Sequence, residues 1–249
     1  MPQVVHGGAA GGHGLDGLPL VVALTFRAIP VVEIELVLFP GPGLGIRLLC
    51  SDGSDPAPEK LAGGNRVLAS LLSGGPFRGA VLPVRSVGVK ADLRSYEHPV
   101  LLWGGGTCEE AAEIAPRLYQ KVPEVNRCLI DLTGRGFSGA RSVAATVTKE
   151  RLDLLREADA LVMDGLRRRG LYRTVWQCPT VFVPLELDGR GRDFVVIRPV
   201  LSERAMTARP AVLPRGLLAE LCEALLSLPG VSGAALDLTT KPPGTIEWE

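Results

Sequence analysis

Residues 122–134 read VPEVNRCLIDLTG and residues 228–240 read LPGVSGAALDLTT, and these two segments decide the fold. Five positions are identical, and each recurs 106 positions later, as Pro123 and Pro229 do. A single offset shared by five positions indicates an internal repeat. The apolar run in each segment is typical of a strand. The sequence therefore predicts that one structural unit occurs twice.

The residues before the second segment predict an ordered series of elements. Apolar residues at helical spacing predict a helix that is capped by Thr148. Two β-rich runs, 178–187 and 194–200, are separated by turn residues and predict a hairpin. A second helix can begin at Pro214, and it precedes a final strand at 232–238. The predicted order is helix, strand, strand, helix, strand.

The first copy repeats this order. We predict a helix at 65–72, strands at 80–89 and 99–103, a second helix from about residue 109 and a strand at 127–132. Pro116 should bend or shorten the second helix, because proline lacks the N–H that a helix interior needs. Helices packed against a sheet in this order predict an α+β fold, built from two tandem two-layer subdomains.

Three parts of the chain are expected from these patterns. Residues 1–37 contain a glycine-rich run and are expected to be weakly ordered or unrelated to the rest. Residues 38–140 would form the first subdomain and 141–249 the second. The glycine-rich stretch 134–143 would link them.

Composition bounds the classes of function. Lys and Arg together number 27 and so do Asp and Glu, so no net field favours nucleic acid or an anionic membrane. Five cysteines and three histidines show no paired spacing, and neither a zinc site nor a disulfide framework is predicted. The apolar stretch 18–26 is shorter than the roughly 20 residues that span a bilayer. We expect a cytosolic protein without a membrane or nucleic-acid partner.

Several stretches resemble one family. The C-terminal KPPGTIEWE is similar to the end of GMP synthetases, and five further stretches agree with the family in order. These are FPGPGLGIR (39–47), LPVRSVGV (82–89), DLRSY (92–96), LREADA (155–160), and IRPV with AMTA (197–200 and 205–208). The resemblance covers about residues 38–249 and implies the fold of the C-terminal dimerisation domain. Because LPVRSVGV precedes LREADA, the chain resembles the longer eukaryotic form with two such domains in tandem.

The resemblance implies an activity for the complete enzyme. GMP synthetases are glutamine-hydrolysing C–N ligases of purine biosynthesis, which convert XMP, ATP and glutamine to GMP, AMP, pyrophosphate and glutamate. The sequence lacks the motifs of the amidotransferase and ATP-pyrophosphatase domains, since Ser73-Gly74-Gly75 is followed by Pro-Phe rather than Asp-Ser. The resemblance thus implies that this part contributes XMP binding and dimerisation, with a homodimer as a partner, and has no catalytic residue. ATP and Mg²⁺ would belong to the complete enzyme, and this part would bind no cofactor. The alternative is a truncated, non-catalytic interaction module.

Five residues match family positions that contact XMP: Asp92, Arg94, Gln177, Lys241 and Glu247. Arg94 offers a planar fork and Lys241 a compact charge for phosphate, although either could form a surface ion pair instead. Carboxylates accept hydrogen bonds from ribose hydroxyls and ring N–H groups, and an amide both donates and accepts. Asp92 could also be a turn residue, and Gln177 could bond to backbone at the start of a strand.

Two further arginines lie near prolines in the two copies. Arg85 precedes a strand-like run in LPVRSVGV, and Arg198 lies within IRPV. An arginine embedded in an apolar sheet is typical of a paired charge. We expect a structural or interface role for both.

Overall fold

The computed structural model describes residues 43–249, except 55, 57, 91 and 92. This part of the chain forms one compact unit, Gly43–Glu249. The segment 1–37 lies outside the described residues, and the boundary between subdomains near residue 140 stays a prediction.

The elements follow one another in an order that repeats once. The first copy contains a 3-10 helix (Leu44–Arg47), β1 (Ser51–Asp52), α1 (Pro58–Leu72), β2 (Phe77–Val81), β3 (Ser86–Lys90), β4 (Leu93–Gly104), α2 (Cys108–Lys121) and β5 (Val125–Asp131). The second contains β6 (Ala140–Ser142), β7 (Ala144–Ala145), α3 (Lys149–Arg168), β8 (Thr180–Val183), β9 (Leu185–Leu187), β10 (Asp193–Ile197), β11 (Val200–Leu201), β12 (Arg209–Pro210), α4 (Arg215–Leu226) and β13 (Val231–Asp237).

Strands from both copies lie in one mixed sheet. The order is β2-β4-β5-β13-β10-β8, with β3 paired to β4 beside this path. The four helices pack against the sheet and form the larger apolar core with it. The smaller core contains the other side chains of the central strands, such as Leu129 and Ala235. The predicted α+β class is therefore confirmed.

The two copies meet at β5 and β13. These strands are antiparallel, and Ile130 pairs with Leu236, which is its equivalent in the repeat. Two flanking hydrogen bonds are related by the same offset: Leu132 N–H donates to Ala234 O and Leu238 N–H donates to Cys128 O, each at 2.9 Å. The sequence repeat thus creates a two-fold-like centre in the middle of the sheet.

The repeated Asp-Leu-Thr has a local cause. Asp131 Oδ1 accepts the N–H of Thr133 at 3.0 Å, and Asp237 Oδ1 accepts the N–H of Thr239 at 2.9 Å. An aspartate that bonds to the backbone two residues later forms a turn. The same turn therefore ends the central strand of each copy.

Proline explains why two predicted strands were too long. The runs 80–89 and 178–187 each divide into two strands, at Pro83 and Pro184. A proline cannot donate to a strand ladder, so the pairing is interrupted there.

Two other predictions were wrong. Helix α2 continues through Pro116 to Lys121, so the proline does not shorten it. A capping box between Thr107 and Glu110 starts this helix and supports its first turn. The predicted linker 134–143 contains strand β6, which pairs with β9.

Candidate functional site

The tail, defined as residues 240–249, runs beside β3. The N–H groups of Val87 and Val89 donate to Trp248 O and Pro243 O, at 2.8 and 2.7 Å. At Gly88, between them, a Cβ atom would lie 2.7 Å from Pro243 O. Glycine is therefore needed at this position for the tail to approach the strand.

The tail is anchored on one buried carboxylate. Asp237 is fully buried, and Arg127 Nη1, Arg198 Nη1 and Trp248 Nε1 each lie 3.0 Å from its Oδ2. Burial alone would raise the pKa of Asp237, but Arg198 and Arg127 outweigh it and hold that pKa below its usual value. The carboxylate is thus ionised at neutral pH and balances one of the two guanidinium charges.

Arg127 joins the tail to β3. Its Nη2 donates to Val87 O, Thr245 Oγ1 and Glu247 O at 2.9 to 3.0 Å. Its guanidinium also lies 4.8 Å from the centre of the Trp248 ring. Burial, opposed by Asp237, lowers the pKa of Arg127 to about 9, so the group stays charged at neutral pH.

Arg198 fixes the tail from the other side. Its Nε donates to Thr245 O and Ile246 O, each at 3.0 Å, and its Nη1 donates to Thr239 O. This fully buried arginine therefore has a structural role, one of the two roles expected from the sequence. Its Nη2 is buried without a hydrogen-bond partner among the described residues.

Arg94 lies on β4, one strand away from the tail. It pairs with Val89, whose N–H bonds to Pro243 of the tail. The Arg94 side chain is exposed and makes no ion pair within the part of the chain that the structure describes. The alternative of a surface ion pair is therefore not seen at this residue.

Lys241 begins the tail's contact with the β11–β12 pair. Its backbone exchanges hydrogen bonds with Ala208, at 2.8 and 3.2 Å. Its half-buried ammonium donates to Ala205 O at 2.7 Å. An ammonium has three N–H donors, so two remain for another acceptor.

Gln177 approaches the same β11–β12 pair. Its backbone is bridged to Val200 of β11, which pairs with Pro210 of β12. The side chain of Gln177 is exposed and has no hydrogen bond to another described residue. Its amide is thus free to contact a ligand.

Glu247 keeps one carboxylate oxygen without a partner. Its Oε1 lies 3.3 Å from Arg47 Nη2, and Arg47 Nη1 lies 3.6 Å from Asp159 Oδ1. Glu247 Oε2 is buried and accepts no hydrogen bond from the described residues. Arg47 and Asp159 were not predicted as site residues, although they lie in the FPGPGLGIR and LREADA stretches.

Four of the five predicted residues lie in one connected region. Backbone pairs link Gln177 through β11 and β12 to Lys241, and link the tail through β3 to Arg94. Glu247 lies further along the tail. Asp92 lies outside the described residues. The region combines two cations, an amide and a carboxylate, which suits an anionic ligand with N–H or hydroxyl donors.

Two kinds of feature are absent from the described residues. No cluster of three or more His, Cys, Asp or Glu residues in this part of the chain could hold a metal ion. None of the helices described is both long and apolar enough to cross a membrane.

Comparison with known proteins places this α+β domain in a family. Residues 164–248 match the model of the GMP synthase C terminal domain. A probable glutamine-hydrolyzing GMP synthase of Leptospira interrogans is 35% identical over 217 residues, which are 85% of this chain and 35% of that protein. The glutamine-hydrolyzing GMP synthases of Thermobifida fusca and Streptomyces avermitilis are 44% and 46% identical over 115 residues, 43% of this chain and 22% of each relative.

The chain therefore carries a GMP synthase C-terminal domain and is related to the GMP synthases. It spans about a third or less of the length of these relatives.

Proposed function

We propose that this chain supplies the XMP-binding part of a glutamine-hydrolysing GMP synthase. The observation that carries the proposal is the polar region formed by the tail, β4 and the β11–β12 pair. Arg94 and Lys241 offer free N–H donors there, and Glu247 offers a buried acceptor without a partner. A buried acceptor without a partner costs about 1–3 kcal/mol, so a ligand donor at Glu247 would be stabilising.

The chemistry of each group suggests its role. Arg94 and Lys241 would hold the phosphate, because both are cationic and neither is neutralised by a carboxylate among the described residues. Glu247 would accept from a ribose hydroxyl or a ring N–H, and Gln177 would meet the purine edge. Asp92, which follows β3 in sequence, would complete the site from the turn between β3 and β4.

The chain would contribute binding and not bond making. The described polar region contains no nucleophile with a base beside it, and its cysteines are Cys50, Cys108, Cys128, Cys178 and Cys222, spread over different elements. Ammonia release and the ATP-dependent activation of XMP with Mg²⁺ would belong to amidotransferase and ATP-pyrophosphatase domains of the complete, cytosolic enzyme. The built and connected binding region argues against a bare interaction module.

We further propose that 38–140 and 141–249 are two copies of one dimerisation subdomain. The support is the antiparallel β5–β13 contact, in which equivalent residues Ile130 and Leu236 face each other. The 115-residue matches to two relatives are also close in length to the repeat offset.

Calorimetric titration with XMP tests the proposed function. We expect XMP to bind more tightly than IMP, which lacks the C2 oxygen. Lys241→Ala should weaken XMP binding at least tenfold, since a hydrogen bond to a charged group contributes about 1.5–3 kcal/mol. Lys90→Ala is the matched control, because Lys90 is exposed and paired with Glu97. Equal affinity for IMP and XMP, or wild-type affinity in folded Lys241→Ala, would contradict the proposal.

A further inference from the structure

A cavity of about 300 Å³ opens beside the β3–β4 pair, outside the region assigned to XMP. Its lining includes none of Arg94, Gln177, Lys241 and Glu247. The lining groups with polar chemistry come from separate segments of the chain. They are Cys50, Arg85, Tyr96, His98, Ser142 and Glu249. We call it the His98 cavity.

His98 supplies a buried nitrogen that lacks a partner. The residue is 2% exposed, and its Nδ1 lies 2.7 Å from Val84 O and 3.0 Å from Leu82 O. Because both neighbours are carbonyl acceptors, Nδ1 carries the proton. In the neutral ring Nε2 is then an acceptor, and it has no hydrogen bond to any described residue.

The protonation state of His98 keeps that acceptor available. Burial chiefly lowers the pKa of His98, and the positive charge of Arg85 lowers it further. The carbonyls of Val84 and Leu82 and the carboxylate of Glu124 oppose this shift without reversing it. The ring is therefore neutral at pH 7, and Nε2 asks for a hydroxyl or N–H donor.

Arg85 supplies the charge in the His98 cavity. It follows β2 on the connection to β3, is exposed, and has no ion pair or hydrogen bond with another described residue. The paired structural role expected from the sequence is thus not seen for this arginine. A planar guanidinium that is free and beside a cavity suits a phosphate or carboxylate.

The remaining wall limits what can enter. Ser51 Oγ and Ser142 Oγ bond to each other at 2.8 Å, so these hydroxyls are already engaged. Tyr96 is 51% exposed and places a ring at the edge of the cavity. A volume of about 300 Å³ is at the lower end for ligand sites, which favours a small molecule.

We propose that the His98 cavity binds a small hydroxylated anion. Arg85 holds the phosphate or carboxylate of the ligand, and a ligand hydroxyl donates to His98 Nε2. The ligand is of the size of a three- to five-carbon sugar phosphate or hydroxy acid. This site is separate from the proposed XMP site and does not depend on it.

Nitrogen-15 NMR of the histidine side chains tests this assignment. The chain has three histidines, and the His98 signals are those lost in His98→Gln. The probes are glycerol 3-phosphate and glycerate, with glycerol and sulfate as ligands that each lack one of the two required groups. We expect saturable movement of the His98 Nε2 signal with at least one organic anion, at least tenfold tighter than with glycerol or sulfate. The tighter organic anion identifies phosphate or carboxylate as the recognised group.

Two variants separate this cavity from the tail region. Arg85→Gln should weaken binding of the organic anion at least tenfold, whereas Arg94→Gln should leave it unchanged. The inference is overturned if neither organic anion moves the His98 signal, if glycerol or sulfate binds equally well, or if folded Arg85→Gln binds like the wild type. XMP titration of the same Arg85→Gln protein reports separately on the proposed function.

Discussion

Asp237 is the residue on which the position of the tail most depends. Asp237→Asn would leave Arg127 and Arg198 buried without their shared negative charge. We expect the free energy of unfolding to fall by about 3 kcal/mol or more, the usual cost of breaking a buried ion pair. Urea unfolding measures this.

The repeat provides a matched control for this change. Asp131 occupies the equivalent position but accepts only from the Thr133 backbone and hydroxyl and from the Gly136 N–H. Asp131→Asn should therefore cost about 1 kcal/mol. Equal losses for the two variants would show that the arginine pairs do not stabilise the fold.

His98 should make stability depend on pH. Its folded pKa is lowered, chiefly by burial, so below about pH 6.5 the unfolded chain binds the extra proton first. The stability that His98 contributes is complete above that pH and is lost as the pH falls towards the folded pKa. We expect the free energy of unfolding to decrease between pH 7.5 and 5.5, and this decrease to be smaller in His98→Gln. An unchanged decrease in the variant would exclude His98 as the cause.

Sequence motifs identified the ligand-facing residues better than the residues that hold them. Lys241 and Glu247 lie in the distinctive KPPGTIEWE, so the resemblance indicates them directly. Arg47 lies 200 positions before Glu247, and an ion pair over that separation leaves no local pattern to recognise. Arg127 was likewise missed, because its partners come from β3, the tail and Asp237 at once.

At the scale of elements, helix α2 contains a removable defect. Pro116 lies inside the helix, where proline is about 3 kcal/mol less favourable than alanine. We expect Pro116→Ala to raise the free energy of unfolding by about 1–3 kcal/mol, as followed by urea unfolding. Pro214, the N-cap of α4, is the control, because no helical donor is needed there. A comparable gain from Pro214→Ala would mean that the helix interior is not the cause.

Local patterns predicted the order of elements but not all of their partners. The start of α3 follows from Thr148, whose hydroxyl accepts the Arg151 N–H at 3.3 Å. Strand β6 was missed because its stretch is rich in glycine, and only pairing with the distant β9 makes it a strand. Strands that depend on long-range pairing are therefore the elements that sequence patterns miss here.

At the scale of the whole molecule, the central contact is made within one chain. The outer edges of the sheet are partly occupied, since Val81 N–H donates to Asn65 Oδ1 on β2 and Leu49 N–H donates to Phe182 O on β8. We therefore expect light scattering during gel filtration to give the mass of one chain. A stable dimer, the partner implied by the family resemblance, would contradict this expectation.

The repeat predicted two copies, but not that both would build one sheet. That outcome depends on β5 and β13, whose register lets Ile130 face Leu236. The pairing of strands from distant segments has no signature in either segment alone.

Hydrogen–deuterium exchange with and without XMP tests the central claim most directly. The account predicts that saturating XMP slows exchange in the tail and in the β3–β4 pair, that α1 is unaffected, and that Lys241→Ala abolishes the effect at the same XMP concentration. Unchanged exchange in the tail and the β3–β4 pair of a folded protein, or protection confined to other elements, would contradict the account.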